Sequence, residues 1–206
     1  HRDLHSFPTR RSSDLFLQAE SDGFTRFTTI LQVRYEAFGE LHPRARELSN
    51  MDFIRFKNHK TYPERLKAFL DRLGLKSSDL KAPGIEEAFE RYYLRNLNSS
   101  SLSAFGRMLE KLAKGDLLGS EKNQLLFRHM ESMTTGERRI KAGLPKGTRF
   151  AQKTGTQIGR VCNVGLINPG PGSTVVAACV ENFKDFAKAE LLLKRVGQAL
   201  TESGAF

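Results

Sequence analysis

The sequence predicts an α+β fold with an antiparallel sheet covered by helices, and three observations carry that prediction. Apolar residues recur at helical spacing through most of the first 140 positions, three strand-like runs then follow one another directly, and a last amphipathic stretch closes the chain. Helices first, consecutive strands next and a covering helix last suit an antiparallel sheet better than a wound parallel one. At 206 residues and 39% hydrophobic content the chain is long enough for one domain with a real core.

Residues 1–15, HRDLHSFPTRRSSDL, have no hydrophobic period and no apolar segment that would make them a signal peptide. They read as translated sequencing adapter, so a non-native segment is expected over 1–15 and a partial domain, its N-terminal portion missing, over 16–206. A helix is predicted over Phe24–Phe38 with Ser21 or Asp22 as its cap, and a weaker one over Arg44–Phe56 after His42-Pro43. Thr61 with Glu64 makes a capping box, Pro63 suits a first turn, and Gly74 stops a helix whose apolar side is Leu66, Phe69, Leu70 and Leu73. Lys76–Gly84 reads as loop and Ile85–Leu97 as helical in part. Ser99–Ser101 offer caps for a helix with a buried stripe of Leu102, Phe105, Met108, Leu109 and Leu112, ended by Gly115. Ser120 is the predicted cap of the next helix, which carries Leu125, Leu126, Phe127 and Met130.

Three strands are predicted at Thr148–Lys153, Val161–Ile167 and Thr174–Val180. Asn168-Pro169-Gly170-Pro171-Gly172-Ser173 joins the second and third as a hairpin. A helix from about Lys184 to Ser203 would lay Phe186, Ala189, Leu192, Leu193, Val196 and Leu200 on the sheet.

The formal charge of +10 and a pI near 9.8 raise the question of nucleic acid. Glu and Asp interleave with Lys and Arg along the helical stretches, which is the pattern of solvated helix faces, so no nucleic-acid partner is expected. An anionic substrate or an anionic envelope fits the charge equally well. No apolar run approaches the roughly 20 residues of a membrane span. The two cysteines, Cys162 and Cys179, lack metal-ligand spacing and are too few for a disulfide framework. Two buried free thiols are expected, ahead of a cross-strand disulfide. Neither a metal nor a cofactor is expected.

Chemistry concentrates at Lys153-Thr154-Gly155. A lysine and a hydroxyl on one strand, followed by a glycine that leaves the strand unobstructed, make a slot for a carboxylate-bearing acyl substrate. With its surroundings this stretch resembles the class A β-lactamases and their serine penicillin-binding relatives. The matching residues are Ser99-Ser100-Ser101, the segment Leu109–Leu118, Ala142–Gly147, Lys153-Thr154-Gly155-Thr156, the hairpin and the last helix, about half the chain. The resemblance implies a β-lactamase/transpeptidase-like fold and acyl transfer through a Ser-x-x-Lys nucleophile, a Ser-x-Asn element and the Lys-Thr-Gly strand. Carried over, Lys153 supplies charge and Thr154 a hydrogen bond to the substrate carboxylate. The N–H of Thr156 forms half of the oxyanion hole, and Arg160 adds a guanidinium or is an exposed strand-end charge.

The Ser-x-x-Lys of this chain, Ser78-Asp79-Leu80-Lys81, lies 75 residues before Lys153 in a polar stretch. The family carries its nucleophile on a buried helix about twice as far upstream, so the nucleophile is expected to precede this chain. Ser49-Asn50, 104 residues before Lys153, is the candidate Ser-x-Asn element; it reads Ser49-Asn50-Met51, with the amide displaced by one or Met51 in its place. Glu86, Glu87 and Glu90 lie where the family has its deacylating Glu, with Glu86 the nominal candidate, and none sits in the Glu-x-x-Leu-Asn pattern. The implied partner is a small β-lactam or a peptidoglycan stem peptide, and the implied protein is a periplasmic or secreted monomer. A D-alanyl-D-alanine peptidase is the alternative enzyme, and a non-catalytic basic binding module the alternative outside catalysis. Missing N-terminal strands would expose a sheet edge and make the isolated polypeptide marginally stable.

Overall fold

A computed structural model describes residues 23–25 and 28–206. The adapter-like residues 1–15 and the caps predicted at Ser21 and Asp22 lie outside the described residues. The chain divides into two compact units, Thr25–Ser99 and the residues to Phe24 together with Ser100–Phe206.

In the unit Thr25–Ser99, helix α1 spans Ile30–Gly39, not Phe24–Phe38. Thr29 takes the cap by accepting from the Gln32 N–H, while the chain before it spends its polar groups elsewhere: Thr25 donates to Ser99 O and Thr28 N–H to Asn98 Oδ1. The weak helix expected over Arg44–Phe56 divides into a 3₁₀ turn, Pro43–Glu47, and helix α2, Asn50–Lys57, capped by Ser49. Helix α3, Tyr62–Leu73, has the Thr61–Glu64 capping box and ends on Gly74 at φ 62°. A 3₁₀ turn, Ser77–Asp79, interrupts the loop before helix α4, Ile85–Leu94. Phe38 is the hub of this unit's core, with ring centroids 5.0 Å from Phe53, 5.6 Å from Phe69 and 5.8 Å from Phe89.

In the other unit, Ser101 caps helix α5, Leu102–Lys114, and Gly115 ends it at φ 84°. Helix α6, Ser120–Glu131, is preceded by Gly119, which offers no side chain, so Ser120 is its first residue and not its cap. The sheet runs β1 (Phe150–Gln157), β2 (Arg160–Ile167), β3 (Thr174–Glu181) in that spatial order, all antiparallel. Helix α7, Phe186–Glu202, closes the chain with Asp185 as cap.

Side chains alternate between the two sheet faces. Ala151, Val164 and Leu166 pack with Leu109 and Leu112 of α5 and Phe127 and Met130 of α6. Phe150, Val161, Ile167 and Val176 pack with Ala189 and Leu193 of α7 and with Ile140. Leu102, expected in the buried stripe of its helix, and Phe186 and Leu192, expected on the sheet, are exposed. A two-residue alternation places Lys153 and Gly155 on the α5/α6 face, and Thr154 and Thr156 on the α7 face.

The expected free thiols are corrected: Cys162 and Cys179 form a disulfide. They are directly opposed in the β2–β3 ladder, and both side chains point to the same face.

Candidate active site

β1 runs four residues past Lys153, so Lys153-Thr154-Gly155 lies inside a strand and not at its end. The turn that permits this is Ile158-Gly159, with Gly159 at φ 66°. β1 is an edge strand among the described residues, paired only with β2. Gly155 needs no glycine for its own sake. Its φ is ordinary, and an added Cβ would meet only Cys162 Cβ, at 3.8 Å. The missing side chain therefore leaves space beside Cys162 on that face of the sheet.

The organising side chain is Arg139, which is 4% exposed. Its guanidinium donates to Gly155 O at 3.2 Å, to Cys162 O at 2.9 Å and to Thr156 Oγ1 at 2.7 Å, and pairs with Glu190 of α7 at 3.1 Å. Its guanidinium carbon sits 5.8 Å from the centre of the Phe186 ring. One buried cation thus fixes β1, β2 and α7 around the exposed group.

The segment carrying Arg139 is seated by close backbone approaches. At Gly136, φ 76°, a Cβ would overlap the Thr154 methyl. Gly143 and Gly197 let the 3₁₀ turn Ile140–Gly143 cross α7 in backbone contact, since a Cβ at either would collide with the other's main chain. Two buried amides reinforce the seat. Asn163 of β2 donates to Gln152 Oε1 at 3.1 Å and accepts from the Ile140 N–H at 3.3 Å, and Gln152 donates to Thr135 O at 3.4 Å.

At the surface, Thr154 Oγ1 lies 2.8 Å from Thr135 Oγ1, so the two hydroxyls form a pair with a free acceptor or donor for a third partner. Lys153 is exposed, and its Nζ donates to Thr154 O. Partial desolvation of the ammonium, then the Arg139 charge, lower its pKa from the ordinary lysine value. Two cations, one balanced by Glu190, and three threonine hydroxyls leave a net positive, donor-rich surface suited to a carboxylate.

The structure brings Lys153, Thr154, Gly155 and Thr156 together. Arg160 is across the Ile158-Gly159 turn, its Nε 2.8 Å from Glu181 Oε1. Ser49, Asn50 and Glu86 belong to the other unit. Ser49 closes a capping box: its Oγ donates to Asp52 Oδ2 at 2.7 Å and accepts from the Asp52 N–H at 3.2 Å. Asp52, 3% exposed, also accepts from Arg72 Nε at 3.0 Å. The Ser49 hydrogen bonds, then Arg72, lower its carboxyl pKa to about 2. Asn50 accepts from Arg34, and Met51 is 53% exposed. Glu86, Glu87 and Glu90 are exposed on α4. Ser78 and Lys81 are exposed at the 3₁₀ turn, with Ser78 Oγ 3.4 Å from Asp79 Oδ1.

Arg139, Asn163, Gln152 and Thr135 escaped sequence reasoning. Among the described residues no cluster of His, Cys, Asp or Glu could hold a metal ion, and no helix is long and apolar enough to cross a membrane.

β-Lactamase 3 of Bacillus cereus is 34% identical over 86 residues, 41% of this chain and 27% of that protein. The β-lactamase of Bacillus licheniformis is 36% identical over 86 residues, 41% of this chain and 28% of that protein. The chain therefore spans less than a third of the length of these curated relatives. Among solved structures, the β-lactamase of Streptomyces albus G is similar at TM-score 0.46 and 26% identity, over 53% of this chain and 42% of that one. A PBP-A variant solved as an acyl-enzyme complex with penicillin G is similar at TM-score 0.45 and 21% identity, over 69% and 56%. A family model described as the beta-lactamase enzyme family matches residues 60–203, a span that begins after Ser49 and Asn50 and takes in Glu86, Arg139 and the whole Lys153 group. On that match over more than half its length, the chain belongs to the beta-lactamase enzyme family.

Proposed function

We propose that Lys153, Thr154 and Arg139 form the carboxylate-binding wall of a serine acyl hydrolase of the class A β-lactamase type, which opens the amide of a β-lactam ring through an acyl-enzyme. The single observation that carries this reading is the buried Arg139 beneath an open glycine strand, holding Gly155 O and Thr156 Oγ1 while Lys153 stays exposed beside them. Lys153 attracts the anionic substrate, Thr154 donates to its carboxylate through the hydroxyl shared with Thr135, and the Thr156 N–H faces the developing oxyanion. Loss of one such oxyanion donor costs roughly 10²–10³ in rate. Arg139 adds charge from below without leaving its four protein partners.

The attacking serine is a separate matter. The chain's one Ser-x-x-Lys, Ser78 to Lys81, is exposed at a 3₁₀ turn, and Ser49 is committed to a cap. A nucleophile needs an adjacent base in a shielded setting, so we assign it to neither. A protein that works on β-lactams or cell-wall stem peptides would act in the periplasm or outside the cell, as a monomer, and the Cys162–Cys179 disulfide suits an oxidising compartment.

The test is to mix this chain with a chromogenic cephalosporin and, separately, with a fluorescent penicillin. Saturable binding without acylation is expected, weakened roughly tenfold by Lys153→Met, the loss of one charge-assisted hydrogen bond. Rapid turnover would put the nucleophile within these residues and overturn the assignment. A D-alanyl-D-alanine peptidase is favoured instead by one observation: Glu86, Glu87 and Glu90 fall outside the family's deacylating pattern. In a protein joined to its nucleophile, a penicilloyl lifetime of hours would select the peptidase, and milliseconds the β-lactamase.

A further inference from the structure

The Cys162–Cys179 disulfide takes no part in holding a substrate carboxylate, yet it lies on the same sheet face as Lys153. Cys162 is opposite Gly155 in the β1–β2 ladder and opposite Cys179 in the β2–β3 ladder, so these residues and Lys153 share one face. Helices α5 and α6 cover Ala151, Val164, Leu166, Val175 and Ala177, and stop two residues short of either cysteine. Both cysteines are half-buried, while Lys153 and Gly155 are exposed. The bond is therefore at the open end of the face, where a thiol in solution can meet it.

Two thiols need more room than one disulfide, because sulfurs bonded at about 2 Å must part to non-bonded contact when the bond breaks. Room exists on one side of Cys162. A Cβ at Gly155 would have Cys162 Cβ, at 3.8 Å, as its nearest neighbour, so the space of a side chain is empty there. A freed Cys162 Sγ that turns into this space stands over β1, diagonal to Lys153, at a spacing that a long side chain can bridge. The charged groups on this face then decide its partner. Arg160 of β2 and Glu181 of β3 hold each other at 2.8 Å, and the residues of α5 and α6 packed on the face are apolar. Arg139 meets Cys162 at its carbonyl. Lys153, whose Nζ donates to the Thr154 carbonyl, is the cation left to pair with a thiolate.

We propose that this disulfide is a redox switch on the carboxylate site: reduction frees the Cys162 thiol into the Gly155 space, where it engages Lys153 in place of the substrate. The switch rests on the reading of Lys153 as the carboxylate's cation. Its reductant is a dithiol. One thiolate of the dithiol attacks a sulfur of the pair and expels the other as a thiolate, forming a mixed disulfide. The second thiolate of the dithiol breaks that bond and leaves within a cyclic disulfide, so two electrons and two protons pass to Cys162 and Cys179. Exchange with an oxidised dithiol runs the same steps backwards. The site is thereby self-occupied in a reducing compartment and open in an oxidising one.

The test compares the two redox states of the chain, with dithiothreitol removed under argon before ligand is added and circular dichroism used to confirm the fold. Benzylpenicillin should bind the reduced chain roughly tenfold more weakly, the worth of one charge-assisted hydrogen bond, while its methyl ester binds both states alike. Cys179→Ala, which carries the Cys162 thiol without any reductant, should match the reduced chain. A second readout needs no ligand. Iodoacetamide, a neutral reagent, should alkylate Cys162 in Cys179→Ala roughly threefold faster than in the same variant with Lys153→Met, because the ammonium raises the thiolate fraction. Acid affinity indifferent to redox state, acid and ester weakened equally, or alkylation indifferent to Lys153 would overturn the switch. Acid and ester binding the oxidised chain equally would instead refute the carboxylate reading, and alkylation would still show or refute the thiol beside Lys153.

Discussion

Two polar constellations in this protein are built alike and read oppositely. Around Asp52 a buried carboxylate gathers Ser49, Arg72 and Arg55, and its hydrogen bonds are committed to the start of α2 and to two arginines that reach it from the surface. Around Arg139 a buried guanidinium gathers Gly155, Thr156, Cys162 and Glu190, yet the residues it supports, Lys153 and Thr156, face solvent. A site is therefore recognised here by what remains unspent. Ser49 has a serine's chemistry and no free valence for it, whereas the Lys153 strand has charge, hydroxyls and open backbone left over.

The sharpest way to break this comparison is at the Arg139 hub. Arg139→Met would leave the part-buried Glu190 carboxylate without its cation and take a donor from Gly155 O, Cys162 O and Thr156 Oγ1, a loss of about 3 kcal/mol or more that urea denaturation would measure. It should also raise the Lys153 pKa towards its ordinary value, because a neighbouring positive charge is gone while desolvation stays. Next in size is the disulfide. Cys162 and Cys179 are 17 residues apart, so its reduction should cost about 3 kcal/mol through the unfolded chain's regained freedom. The readout is the denaturation midpoint with and without a reductant.

The Asp52 cluster offers smaller effects. Ser49→Ala should cost about 1 kcal/mol, the worth of a helix cap, and leave penicillin binding unchanged. A larger loss of binding than of stability would return Ser49 to the site. The pH dependence has a definite sign. Since the folded pKa of Asp52, about 2, lies below its ordinary value of 3.8, its stabilisation is complete above the higher value and is lost as pH falls through about 2. Denaturation midpoints of the Asp52→Asn variant should accordingly be flatter than those of the parent between pH 4 and 2.

The sequence was most legible where the cause is local. Thr61, Glu64 and Gly74 act within one helix, and the structure has that helix with those caps. Ser120 misled because a serine beside a glycine offers a cap that the backbone need not take. The strand ends expected at Ile167 and Thr174 do face each other, and counting back from them places Cys162 opposite Cys179, so the pairing was accessible from register though not from composition. Lys153-Thr154-Gly155 could be found as a motif, but Arg139 could not. Nothing in Arg138-Arg139 distinguishes the buried cation from its neighbour, since its partners come from β1, β2 and α7, 16 to 51 residues away.

Recognition of a substrate carboxylate by the Lys153 strand and Arg139 is tested by equilibrium dialysis of labelled benzylpenicillin against its methyl ester. The free acid is expected to bind at least roughly tenfold more tightly than the ester, as one charge-assisted hydrogen bond requires, and Lys153→Met to remove the difference. Equal binding of acid and ester, or a difference that survives in Lys153→Met, would contradict it.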